Sequence, residues 1–200
     1  MELYQKERSN TRRFFNRVSF VFPIIEKNLF PEYQKTLVDF NLNPKLSVLD
    51  LATGTGILAG AFAERGHRVE GLDFAENLLN RGKKKFPSVS FKKFDLYNLS
   101  EMTDSSYDIV STGYFLHGLS TDFRKQILKD ATRIAGKYVV VFDYCCKGNW
   151  FVRLIEWIEG PNYPGFITES RQKEFSDAGL NVERELRTSD FGSAWLCSKL

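Results

Sequence analysis

Histidine and cysteine are scarce in this chain, with two and three residues respectively out of 200. His67 and His117 are far apart in sequence, Cys145 and Cys146 are adjacent, and Cys197 stands alone. Zinc sites need spaced pairs of such ligands, and a disulfide framework needs more cysteines. Neither a metal centre nor a disulfide-stapled fold is therefore expected, and the cysteines read as buried or partly buried free thiols. Long apolar runs are also missing. None approaches the ~20 residues needed to cross a bilayer. The first ten residues, MELYQKERSN, carry charges where a secretion signal needs an apolar segment. The expectation is a cytoplasmic protein.

The chain also lacks a strong charge imbalance. It has 28 basic and 25 acidic residues, and five of the former and two of the latter fall in residues 1–17. The remainder is neutral. A neutral body is not the basic surface that nucleic acid requires, so no nucleic-acid partner is expected. Attraction to anions is confined to the N-terminal arm.

What is present is alternation. No internal repeat or low-complexity tract interrupts it. From Leu46 onward, strand-like and helix-like segments take turns: LSVLDLA, ILAGAFAERG, HRVEGLDF, AENLLNRGKKKF, VSFKKFDL and YDIVSTG. Then come a helix over STDFRKQILKDATRIAG that Gly136 can end, the apolar strand KYVVVFDY, and helices over GNWFVRLIEWIEGP and ESRQKEFSDAG. The strands NVERELR and AWLCSKL close the series. Such alternation predicts an α/β fold, doubly wound about a mainly parallel sheet. Residues 1–45 precede the sheet as a helical arm, and residues 46–200 form the domain. Phe14, Phe15, Val18, Val21, Phe22 and Ile25 share one helical face of the arm, which reads as packing on the core and as a lid. A transient membrane-surface contact is the other reading of that face.

The most informative stretch is VLDLATGTGILAG, a buried strand, a glycine turn and a helix start. Gly54-Thr55-Gly56-Ile57-Leu58-Ala59 fits the dinucleotide pattern G-x-G-x-x-G/A. By itself this is a weak signal, open to a structural turn or to NAD. Asp50 shifts the balance, because a pyrophosphate wants backbone N–H donors with no carboxylate beside them. A carboxylate suits a cationic ligand. S-adenosylmethionine carries a sulfonium and an ammonium group and no phosphate. Asp73 ends the second strand, where it can accept from ribose hydroxyls, with Phe74 beside the adenine. Asp95 ends the third strand, where it can accept from the adenine amino group. Each acid alone is commonly a helix cap or a solvated strand end. Three at the carboxyl ends of successive strands converge on the crevice of an open α/β sheet.

With these residues the chain resembles the class I S-adenosylmethionine-dependent methyltransferases. VLDLATGTG, GLDFAENLL, FDL and YDIVSTGYFLHGL are similar to the first four motifs of that family. The resemblance implies a Rossmann-like seven-stranded sheet, mostly parallel with an antiparallel last strand. It implies cofactor contacts at Asp50, Ala52, Thr53, Gly54, Thr55, Gly56, Asp73, Phe74, Asp95, Leu96, Thr112 and Gly113. DLATGTG and GLDFAENLLNRGKKK most resemble the ubiquinone/menaquinone C-methyltransferase branch. The chain departs from that branch at Ile57, where the branch has an acid, at YFLHGL, and at TRIAGKYVVV, which lacks Pro-Gly-Gly. No Asn/Asp-Pro-Pro-Tyr follows the fourth strand, which argues against methylation of DNA bases.

The expected reaction is methyl transfer to a small acceptor, apolar or lipid-like in character. Alternatives are a non-catalytic S-adenosylmethionine-binding module, a protein or RNA methyltransferase, and an NAD-dependent oxidoreductase. His117 is the candidate general base, with a turn-capping histidine as the plain reading. Tyr114, Tyr144 and Tyr163 are candidate substrate contacts, each equally readable as core. NWFVRLIEW can wall an apolar pocket or simply pack as an amphipathic helix.

Overall fold

The computed structural model describes residues 22–146, 163–168 and 170–200. The arm segment 1–21 and the helix expected over 148–161 lie outside the described residues. Within them, α1 spans Phe22–Phe40. Its far half buries Tyr33, Leu37 and Phe40, spaced four and three residues apart on one face. Pro31 lies inside this helix. Proline removes one backbone hydrogen bond, and the buried face outweighs that loss.

Seven strands make one sheet: β1 (Ser47–Leu51), β2 (Arg68–Asp73), β3 (Ser90–Lys93), β4 (Tyr107–Gly113), β5 (Ala135–Tyr144), β6 (Leu180–Arg187) and β7 (Gly192–Lys199). The order across the sheet is β3-β2-β1-β4-β5-β7-β6. Neighbours from β3 to β5 are parallel, and β7 is antiparallel to both β5 and β6. The expected α/β sheet with an antiparallel last strand is what the structure has. The order reverses between β1 and β4, so a crevice opens at their carboxyl ends.

Helices cover both faces, which is why the central strands are apolar throughout. On one side α1, α2 (Ile57–Glu64) and α3 (Glu76–Lys85) pack on Val48, Ile109, Val140 and Phe142. On the other, α4 (Thr121–Ile134), α5 (Tyr163–Thr168) and α6 (Arg171–Asp177) pack with Leu49, Leu51, Val110, Val139 and Val141. The alternation Val139, Val140, Val141, Phe142 thus feeds two cores from one strand. Edge strand β3 has four residues, with Lys92 and Lys93 exposed. A short charged edge resists pairing with another chain.

One helix stop differs from expectation. Gly136 does not end α4. The helix stops at Ile134 and Gly136 is already the second residue of β5. Ala135 is extended, with φ −69° and ψ 133°, and pairs with Tyr107. Strand pairing therefore replaces the left-handed glycine cap that the sequence suggested.

Candidate active site

The loop between β1 and α2 is built from left-handed backbone. Ala52, Gly54 and Gly56 have φ of 53°, 56° and 78°. Gly56 has a second reason to be glycine, since a Cβ there would stand 2.4 Å from the Phe91 ring. Gly54 has open space around its missing Cβ, so only its dihedral demands glycine. The loop closes through Gly56 N–H to the Thr53 carbonyl, 2.7 Å, and Thr53 N–H to the Leu72 carbonyl, 2.9 Å. Gly56 offers α2 no capping side chain, and the Asp50 carboxylate accepts from Ala59 N–H in the helix's first turn.

Asp73 ties this loop to β2. One carboxylate oxygen accepts from Gly54 N–H at 2.9 Å and the other from Ala75 N–H at 2.8 Å. Burial pushes its pKa up, opposed by these backbone hydrogen bonds. Asp50 lies deeper, at 1% exposure. Its two oxygens accept from the Thr53 hydroxyl, 2.6 Å, and the Ser111 hydroxyl, 2.7 Å. Burial pushes Asp50 up to about 7, against the lowering effect of those hydroxyls. Two buried carboxylates therefore flank one loop at the carboxyl end of the sheet.

The elevated Asp50 has a measurable consequence. Near pH 4 the unfolded chain ionises this carboxyl, while the folded chain holds its proton until about pH 7. Over that window the folded state binds the extra proton, so Asp50 removes stability as pH rises. Asp50→Asn abolishes the titration. Its stability relative to wild type should improve by on the order of 2 kcal/mol between pH 5 and pH 8 in urea unfolding. Parallel pH profiles for the two proteins would rule out an elevated Asp50.

The other expected cofactor residues sit around the same rim. Thr55 is buried and Phe74 and Leu96 are half-buried. Asp95 caps the short 3-10 helix Leu96–Glu101, accepting from Tyr97 N–H at 3.2 Å. Thr112 and Gly113 end β4. The Thr112 hydroxyl is buried without a hydrogen-bond partner among the described residues. A Cβ at Gly113 would stand 2.7 Å from the Tyr33 hydroxyl, so α1 approaches the backbone there.

His117 lies just past β4 at 5% exposure. Its Nδ1 is 2.7 Å from Asp143 Oδ1, at the end of β5. Asp143 is fully buried and also accepts from the N–H groups of Leu116, His117 and Tyr144 at 2.9, 3.2 and 2.8 Å. The sequence reading missed Asp143. The signal was available, because FDY ends an apolar strand as LDL, LDF and FDL do. The Tyr144 ring packs edge-on to His117 with centroids 4.8 Å apart, and to Tyr114 at 5.2 Å. Tyr114 takes φ 49°, a conformation costly for an aromatic residue, and its hydroxyl donates to Glu32 at 3.0 Å. Burial and the Glu32 carboxylate push the Tyr114 phenol well up, so it stays protonated. His117, Tyr114 and Tyr144 are thus brought together. Tyr163 begins α5, and its side chain lies outside the described residues.

Comparison with known proteins agrees with this geometry. Residues 48–137 match the family described as methyltransferase domain. A demethylmenaquinone methyltransferase of Bacillus cereus (strain B4264) is 33% identical over 109 residues, 50% of this chain and 45% of that protein. Its namesake in Bacillus anthracis (strain A0248) matches equally. The chain spans about half the length of these curated relatives. Among solved structures, a magnesium protoporphyrin IX methyltransferase of Synechocystis PCC 6803 superposes with TM-score 0.71 at 18% identity, covering 96% of this chain and 100% of that one. A methyltransferase complexed with the Trm112 activator of Haloferax volcanii gives TM-score 0.72 at 18% identity, covering 94% and 96%. The fold is shared with both. The resemblance carried by the four motifs is borne out by the family match and by the quinone-methyltransferase relatives.

Proposed function

We propose, on the premise that residues 48–137 form a methyltransferase domain, that this chain is an S-adenosylmethionine-dependent methyltransferase acting on a small, apolar or lipid-like acceptor. One observation carries the reading. Two buried carboxylates, Asp50 and Asp73, flank a left-handed backbone loop at the carboxyl end of the sheet. That combination suits a cationic adenosine ligand and disfavours a pyrophosphate. The Thr112 hydroxyl, buried without a hydrogen-bond partner among the described residues, fits a ligand seated there.

When bound, S-adenosylmethionine supplies a methyl group on a positively charged sulfur. Asp73 and the Gly54–Gly56 backbone would hold the nucleoside end, and Asp50, ionised beside the cation, would contribute negative potential from beneath the loop. Phe74, Asp95 and Leu96 would flank the base. The aromatic side chains of Tyr114 and Tyr144 exclude water beside His117. With Nδ1–H donating to Asp143, Nε2 carries the basic lone pair that a general base needs, which supports this role for His117. The similarity to demethylmenaquinone methyltransferases supports an aromatic, apolar acceptor.

Calorimetry is the test. S-adenosylhomocysteine should bind and raise the melting temperature, and NAD should do neither. Saturable NAD binding without a response to S-adenosylhomocysteine overturns the reading. His117→Asn should keep S-adenosylhomocysteine affinity and lower turnover about 100-fold on an acceptor that must lose a proton. Binding without turnover across phenol and quinol acceptors in the wild type would instead favour a non-catalytic module.

A further inference from the structure

Cys145 and Cys146 follow directly on β5 and are both partly exposed, whereas Cys197 is buried. Consecutive residues of a strand point to opposite faces. Here the strand ends at Tyr144 and the chain bends at Cys146. Both sulfurs therefore meet one guanidinium. Arg187 Nη1 donates to Cys145 Sγ at 2.6 Å, and Nη2 lies 3.7 Å from Cys146 Sγ. The thiols also donate to neighbouring carbonyls, Cys145 to Phe191 at 3.1 Å and Cys146 to Asp190 at 3.3 Å. Each thiol is within hydrogen-bonding reach of the other. Arg187 in turn lines a cavity of about 280 Å³ with Pro31, Glu32, Lys35 and Asp39. Methyl transfer as derived above uses neither sulfur.

We propose that Cys145 and Cys146 together form a binding site for a monosubstituted trivalent arsenical, a ligand that takes two thiolates and brings its own third substituent. The donor number decides the class. Zinc wants four ligands, and no group of three or more His, Cys, Asp or Glu side chains suited to a metal occurs among the described residues. A disulfide between neighbours is disfavoured too. Adjacent Cα atoms lie about 3.8 Å apart across a trans peptide, below the roughly 4.4–6.8 Å that a disulfide prefers. An arsenic atom bridging the two sulfurs relieves that constraint. The step balances: an organoarsine oxide and two thiols give one dithioarsenite and one water. The arsenic–oxygen bond is exchanged for two arsenic–sulfur bonds, both thiol protons leave on the oxygen, and nothing is oxidised or reduced. No proton is released to solvent, so the burial that pushes the Cys145 thiol up does not oppose the product.

Phenylarsine oxide is the probe. Intact-protein mass spectrometry should show one adduct, with one water lost. After denaturation the titratable thiols should fall from three to one. Peptide mapping should place the arsenic on the peptide carrying residues 145–146. 2,3-Dimercaptopropanol should strip the adduct, and excess glutathione should not. Cys145→Ser and Cys146→Ser should each weaken capture at least tenfold, because the second bond gains from effective concentration. Cys197→Ser should leave it unchanged. The proposal is overturned if either single variant retains wild-type capture, if glutathione removes the ligand, if mapping places arsenic on Cys197, or if the isolated protein already holds the pair as a disulfide. Mapping and the thiol count are read on the wild-type chain, so a poorly folded variant does not shield the proposal.

Discussion

Asp73→Ala is expected to weaken S-adenosylhomocysteine binding at least tenfold while the chain still folds. The carboxylate is engaged by three backbone N–H groups, those of Gly54, Phe74 and Ala75. An ionised carboxylate has roughly four acceptor positions, so one remains for a ribose hydroxyl. Charge-assisted hydrogen bonds contribute about 1.5–3 kcal/mol, and the loss of one already exceeds a factor of ten. The substitution also frees the Gly54 amide, so the loop loses its tie to β2. A stability loss of about 1–3 kcal/mol should accompany the affinity loss. Titration calorimetry and urea unfolding on the same variant separate the two. A folded variant with unchanged affinity would show that Asp73 only fastens the loop.

The second large effect is expected in Glu174→Gln, on stability. Arg124 is 1% exposed and Glu174 6% exposed, and their side chains meet at 2.6 Å. Arg171 bonds the other oxygen of Glu174 and the Phe166 carbonyl. The two guanidiniums also lie over the Phe166 ring, with centroid distances of 5.1 Å for Arg124 and 3.9 Å for Arg171. One carboxylate thus meets two cations in the wall behind His117, whose ring is 6.2 Å from Phe166. Removing one member of such a buried ion pair costs about 3–5 kcal/mol. Urea unfolding should show that loss. A companion variant, Arg124→Met with Glu174→Leu, should recover most of it, since apolar replacement of a buried pair is often neutral. A Glu174→Gln penalty under 1 kcal/mol would mean that water or movement already compensates the cations.

Local patterns explain what the sequence made legible. The strand–glycine–helix unit at Val48–Gly60 and the acids at positions 50, 73 and 95 are encoded within a few residues of one another or of a strand end. The mainly parallel α/β sheet followed from alternation, and its antiparallel last strand from the family resemblance. The missed features join residues distant in the chain. His117 reaches Asp143 across 26 positions, Asp50 receives Ser111 across 61, and Arg124 finds Glu174 across 50. No local period announces such partners. Arg124 is among the most buried side chains although it is charged. Gly136 misled for the opposite reason. Its local preference is real, but pairing with β4 overrides it.

The placement of β7 has a consequence for how the chain matures during synthesis. β6 is made before β7, yet its neighbour in the sheet is β7 itself, which pairs with β5 on its other side. Until Gly192–Lys199 leaves the ribosome, β5 presents an open hydrogen-bonding edge and β6 has no strand to join. Translation adds roughly 5–20 residues per second, so that edge is exposed for a time that is long compared with strand pairing. β5 is also the strand that ends in Asp143 and Tyr144, the partners of His117. The last strand to emerge therefore closes the sheet beside the proposed active site, and a nascent chain stopped before it would carry that wall as an adhesive edge.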